Sequence, residues 1–172
     1  MLLIIDLLLL IFLGWIAFQD FRERQISWLL LPPVFIFFAW KGFLTQSPAA
    51  LITGFVLNSC FILVQLLLLT LWMSLRNKKW TTIIDVHLGL GDILFFAAIT
   101  AAFEPFLFVV FYVLSMIITL AGVLISRLLL PRANPEIPLA GSMAMVLMIC
   151  IIITAMVPSI DFYTRPVLFS FL

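Results

Sequence analysis

The chain has 172 residues and a formal net charge of +1; 66% of its residues are hydrophobic, 10% are charged, and its mean hydropathy is +1.34. A soluble domain keeps about a quarter of its residues charged and about half apolar, so this apolar surplus is too large for one buried core and makes lipid the expected solvent. The near-neutral charge excludes a nucleic-acid partner and an acidic polymeric substrate, and Cys60 and Cys150, both within apolar runs with no CxxC or Cys/His cluster, exclude a disulfide framework and a zinc site.

In chain order, the apolar segments are 2–19, 29–44, 50–74, 90–103, 105–127 and 138–158. Each is compared with the roughly 17–25 residues that span a ~30 Å hydrocarbon core. The first could be mistaken for a secretory signal. It has no basic start and no small-residue cleavage site, and it ends at the charged stretch Gln19-Asp20-Phe21-Arg22-Glu23-Arg24, so a retained helix is expected. Pro32 and Pro33 suit the first turn of the second helix, where a missing N–H costs little. The fourth segment follows a glycine-rich turn, ends at Glu104-Pro105, and is short. Its entrance is therefore expected within protein or water, because lipid-exposed irregular backbone is not tolerated.

Of the nine basic residues, Arg22, Arg24, Arg76, Lys78, Lys79, Arg127 and Arg132 fall in odd-numbered connections; only Lys41 and Arg165 do not. The positive-inside rule then puts those connections in the cytoplasm. The expected fold is all-α: a polytopic membrane protein of about six transmembrane helices with both termini non-cytoplasmic. There is no internal repeat or flexible linker, so residues 1–172 are expected to form one transmembrane domain without a soluble appendage.

The acidic residues sort by position. Glu23, Glu136, Glu104 and Asp161 lie in loops or at boundaries and read as solvated, and Asp6 is expected to reach water near the outer end of its helix. Asp85 and His87, the only histidine, read as loop residues, and Arg76-Asn77-Lys78-Lys79-Trp80 suits an anionic headgroup surface. The tryptophans, Trp15, Trp28, Trp40, Trp72 and Trp80, mostly fall near expected interfaces.

Asp20 and Asp92 stand apart. Asp20 closes the first apolar run and Asp92 opens the fourth, so helix alternation brings both to the same membrane face. Ionisable groups there are costly enough to suggest function. In Gly89-Leu90-Gly91-Asp92, two glycines flank the approach to the carboxylate and allow close backbone contact. A glycine-rich turn with Asp92 as an ordinary helix cap fits the same residues. Two convergent carboxylates also suit a proton-coupled transporter, although no repeat is visible, or a non-enzymatic scaffold.

The pair Asp20 and Gly89-Leu90-Gly91-Asp92 resembles the signature of the GxGD membrane aspartyl proteases, in particular the type IV prepilin and preflagellin peptidases. Asp20-Phe21-Arg22-Glu23-Arg24-Gln25-Ile26-Ser27-Trp28 is similar to the family's first motif, an aspartate followed by basic residues and an Ile-Pro-Asn-like tripeptide. Ile137-Pro138-Leu139-Ala140-Gly141-Ser142 resembles the proline-containing stretch that opens its last helix. Ser27-Trp28 replaces the usual Pro-Asn, Leu94 stands where many members carry lysine, and the zinc-binding region of larger enzymes is absent.

The resemblance implies Asp20 and Asp92 as the catalytic pair and Gly89 and Gly91 as the active-site loop. Arg22, Arg24, Ile26, Pro138 and Gly141 are implied as substrate-binding or structural positions. It implies an aspartic endopeptidase of a prokaryotic cytoplasmic membrane that removes basic leaders from prepilin-like proteins, whose apolar helix follows the cut. A catalytically inactive relative would carry the same resemblance. Two carboxylates a few ångströms apart cannot both ionise and so share a proton, leaving one to activate water and the other to polarise a carbonyl. Such chemistry requires no metal or organic cofactor.

Overall fold

The computed structural model describes residues 1–78, 89–129 and 138–157. The described residues are helical, without strands: α1 (Leu2–Glu23), a 3₁₀ turn (Trp28–Leu30), α2 (Leu31–Thr45), α3 (Pro48–Asn77), α4 (Leu90–Ile99), α5 (Pro105–Leu129) and α6 (Leu139–Met156). Among the described residues, five spans are long and apolar enough to cross a membrane: α1, the 3₁₀ turn continued by α2, α3, α5 and α6. The expectations for Asp85, His87, Lys79, Trp80, Arg132, Glu136, Ile137, Asp161 and Arg165 fall outside the described residues.

The fourth segment departs from its expected length. Its helix stops at Ile99 after ten residues, or about 15 Å of rise. A side chain from α3 accounts for the stop: Asn58 Nδ2 donates to the carbonyls of Thr100 (2.8 Å) and Phe103 (3.0 Å). Thr100 Oγ1 donates back to Ala97 O at 2.7 Å. The chain thus turns within the protein, where Thr100, Ala101, Ala102 and Phe103 are all buried, before Pro105 opens α5. Enclosure was expected at the entrance of this helix. It is found at the exit, while Gly89 and Leu90 at the entrance are exposed.

Packing runs from α1 to α2, α3, α5 and α6, and returns from α6 to α1; α4 packs on α2, α3 and α6. The α1–α6 interface is the most extensive. Leu9, Leu13 and Ile16 of α1 are buried, as are Met143, Ala144 and Leu147 of α6. At the α2–α3 corner, Ser47 Oγ accepts from Ala50 N at 3.3 Å and Pro48 occupies the first helical turn. These features satisfy and pre-set a helix start.

The outside of the bundle is apolar. Leu63, Val64, Leu67, Leu68 and Leu71 of α3 are exposed, with Ile117, Ile118, Leu120 and Leu124 of α5. Trp15, Trp28, Trp40 and Trp72 also face outward. Soluble monomers rarely expose contiguous apolar patches beyond a few hundred Å², so this girdle suits lipid.

Asp6 is largely withdrawn from the surface of the bundle. It pairs with Lys41 Nζ from the end of α2, and the side chains are 16% and 6% exposed respectively. A charge withdrawn from water needs an opposite charge beside it. The expectation of a solvated Asp6 therefore fails for want of its partner, which lies 35 positions away.

Candidate functional site

The C-terminal end of α1 is shaped by Arg24, which adopts a left-handed conformation (φ 55°) and donates its backbone N–H to Asp20 O at 3.0 Å. The turn beyond is tied back to the helix by Gln19, whose Oε1 accepts from Ser27 N at 3.1 Å. A proline at 27 could not make that bond. Folding back in this way brings Ile26 over α4: a Cβ added to Gly91 would lie 3.4 Å from Ile26 Cβ. Gly91 is therefore a seat for Ile26.

Gly89 caps the start of α4 with extended backbone (φ −64°, ψ 143°), and its carbonyl accepts from Asp92 N at 3.0 Å. The Asp92 carboxylate lies over this turn; a Cβ at Gly89 would be 3.4 Å from Asp92 Oδ2. Asp92 is thus in the first turn of the helix, where a carboxylate is favoured by the exposed N–H groups.

The first turn of α6 completes the site. Pro138 is buried at its N-cap, and Ser142 donates to the Pro138 carbonyl through both N (3.1 Å) and Oγ (2.7 Å). Pinned in this way, two successive amides point at the two aspartates: Ala140 N donates to Asp92 Oδ1 at 3.2 Å and Gly141 N to Asp20 Oδ2 at 2.6 Å. Adjacent amide donors and these bond lengths hold the two acceptor oxygens within about 10 Å of each other. Their charges interact across that gap, and Arg24 adds a positive charge near Asp20. Asp20 is buried and Asp92 half-buried.

Room for this approach depends on Gly141. A Cβ there would meet Asp20 Oδ2 at 2.9 Å, Asp20 Cβ at 3.0 Å and Ala17 O at 3.4 Å. The glycine lets the backbone of α6 reach the carboxylate directly.

The structure gathers Asp20, Asp92, Gly89, Gly91, Arg24, Ile26, Pro138 and Gly141 at one end of the bundle. Arg22 does not join them: it is exposed, with its guanidinium 5.7 Å from the centre of the Phe18 ring. The amide of Ala140 was not anticipated as a ligand, because a backbone donor leaves no mark in side-chain identity. Gln19 and Asn58 were also missed, although an amide side chain within an apolar run is a usable signal. Among the described residues no group of three or more His, Cys, Asp and Glu could hold a metal ion.

Two carboxylates gathered at one helix start influence each other's ionisation, and if they close to a few ångströms they can divide one proton between them. One is then an acceptor for a water proton and the other a donor to an oxygen. Compared with protein-family models, with curated proteins and with solved structures, the chain finds no match in any of the three.

Proposed function

We propose that this protein is an intramembrane aspartic endopeptidase of the prepilin peptidase type. The observation that carries the reading is the pair of adjacent α6 amides that hold Asp20 and Asp92 together although 72 positions separate them. A helix cap alone would account for Asp92, but not for a second carboxylate drawn to the next amide along.

The pair activates a water molecule. The ionised carboxylate takes a proton from water as its oxygen attacks the scissile carbonyl carbon, while the protonated partner gives its proton to the carbonyl oxygen. The resulting tetrahedral intermediate collapses as its C–N bond breaks. The amine nitrogen takes up the proton held by one aspartate while a hydroxyl of the intermediate returns a proton to the other, so that an amine and a carboxylic acid leave and the pair again holds one proton. Because the two sites titrate together, the proton belongs to the pair and not to one named residue.

The substrates proposed are prepilin-like proteins with a short basic leader ahead of an apolar helix. Basic residues at the same end as the site, including Arg22, Arg24, Arg76 and Lys78, favour the cytoplasmic face of a prokaryotic cell membrane by the positive-inside rule, with both termini on the opposite face.

The test is cleavage of a co-expressed panel of prepilin-like substrates by the unaltered chain, Asp20→Ala and Asp92→Ala. The expected result is processing by the unaltered chain and loss in both variants at equal membrane abundance. Processing that survives either substitution, or no processing of any panel member, overturns the reading.

A further inference from the structure

The two aspartates sit on helices that do not pack extensively on one another: α1 lies against α2 and α6, and α4 against α2, α3 and α6. Their separation is therefore set by whatever bridges α1 and α4. One bridge is the start of α6, whose adjacent amides bond both carboxylates. The other is the turn after α1, which carries Ile26 onto Gly91, the residue before Asp92. Ile26 is half-buried and packs against the core, so it transmits the position of this turn to the first turn of α4.

The turn is tied to the last turn of α1 at both ends. At its start, Arg24 N donates to Asp20 O at 3.0 Å. At its end, Gln19 Oε1 accepts from Ser27 N at 3.1 Å, and Gln19 Nε2 reaches Ser27 Oγ at 3.5 Å. The Ser27 carbonyl then accepts from Leu30 N at 3.1 Å, which opens the 3₁₀ turn. One side chain, next in sequence to Asp20, thus closes the loop that holds Ile26.

We propose that Gln19 is a positioning residue for the aspartate pair. By keeping the turn closed it holds Ile26 on Gly91, and so fixes where Asp92 lies relative to Asp20. The inference rests on the hydrolytic reading and extends it with a residue that acts through Ile26. The Gln19–Ser27 bonds are exposed. Losing them therefore lowers the population of the closed turn, by a factor of roughly two to ten, without unfolding the bundle.

The test compares Gln19→Met, which keeps the bulk and loses the acceptor, with Ser27→Ala, which keeps the N–H that Gln19 binds. Two readouts are used on the full chain in lipid vesicles. The first is the separation of nitroxide labels at the exposed positions 23 and 90 by electron paramagnetic resonance, with Cys60 and Cys150 replaced by alanine. The second is cleavage of a prepilin-like substrate. Gln19→Met is expected to broaden the label separation and to lower kcat about fivefold at unchanged KM, as for an interaction that matters only when the reacting groups are assembled. Ser27→Ala is expected to do neither. In an Ile26→Ala background, Gln19→Met should add no further loss, because the two residues act in series. An unchanged label separation, a loss through KM, or additive losses with Ile26→Ala each overturn the proposal. Aspartate-dependent cleavage that Gln19→Met leaves untouched removes the positioning role and leaves the hydrolytic reading standing. Broadened separation in a chain that cleaves no substrate removes the hydrolytic reading and leaves Gln19 as the residue that sets the spacing of α1 and α4.

Discussion

Asp20 and Gly141 lie 121 positions apart and are joined by a 2.6 Å hydrogen bond from the glycine N–H to the carboxylate. The next amide toward the N-terminus, that of Ala140, bonds Asp92. The start of α6 thus acts as a clamp on two other helices, and the most exacting position in the site carries no side chain.

Gly141→Ala should disrupt that clamp. Oδ2 of Asp20 could swing away from the new methyl, but Asp20 Cβ at 3.0 Å and Ala17 O at 3.4 Å cannot yield without separating α1 from α6. The expected loss is about 1–3 kcal/mol of stability in detergent, as for overpacking elsewhere, together with loss of aspartate-dependent processing. Gly14→Ala on the same interface meets only Met148 Sδ at 3.8 Å and should be neutral or slightly stabilising, since alanine exceeds glycine in helix propensity by about 1 kcal/mol. Identical melting shifts for the two variants would contradict the clamp.

Gly91 should show a size series. Its virtual Cβ is 3.4 Å from Ile26 Cβ and 3.6 Å from Ile26 Cδ1, contacts that a turn residue can relieve by a small shift. Gly91→Ala is expected to process substrate within a few-fold of the unaltered chain, and Gly91→Val to be strongly impaired. Adding Ile26→Ala to Gly91→Val should recover part of the loss by freeing the space of the isoleucine's outer carbons. Additive effects in that double variant, measured as initial rates, would mean that the two positions do not share this contact.

Asn58→Leu should destabilise the molecule despite raising its hydrophobicity. It strands the buried carbonyls of Thr100 and Phe103, each at about 1–3 kcal/mol. Asn58→Asp should fail in the same way, because an ionised carboxylate has no N–H to donate. Thermal unfolding in detergent is the measurement, and an Asn58→Leu variant as stable as the parent would disprove this account of why α4 stops.

For Asp6 and Lys41, single and double substitutions should diverge. Lys41→Met leaves an uncompensated carboxylate inside the bundle and is expected to cost about 3–5 kcal/mol, as would Asp6→Leu, whereas the double variant should be close to neutral. A double-mutant cycle on unfolding midpoints measures the coupling. Strict additivity would show that the pair contributes no mutual stabilisation.

The sequence by itself determined the helical class, the apolar segments and the short fourth helix, because hydropathy and proline position act locally along the chain. It also placed Asp20 and Asp92 at one end of the bundle, since successive spans must alternate in direction. Tertiary structure alone decided that Asp6 meets Lys41, that Asn58 ends α4, and that adjacent amides of α6 hold the two aspartates. It also separated Arg24, which shapes the end of α1, from Arg22, which faces outward on Phe18. Such choices depend on how closely helices approach and which polar groups would otherwise be stranded. The 2.6 Å approach at Gly141 arises only when α1 and α6 are packed together, because a backbone N–H is common to every residue except proline.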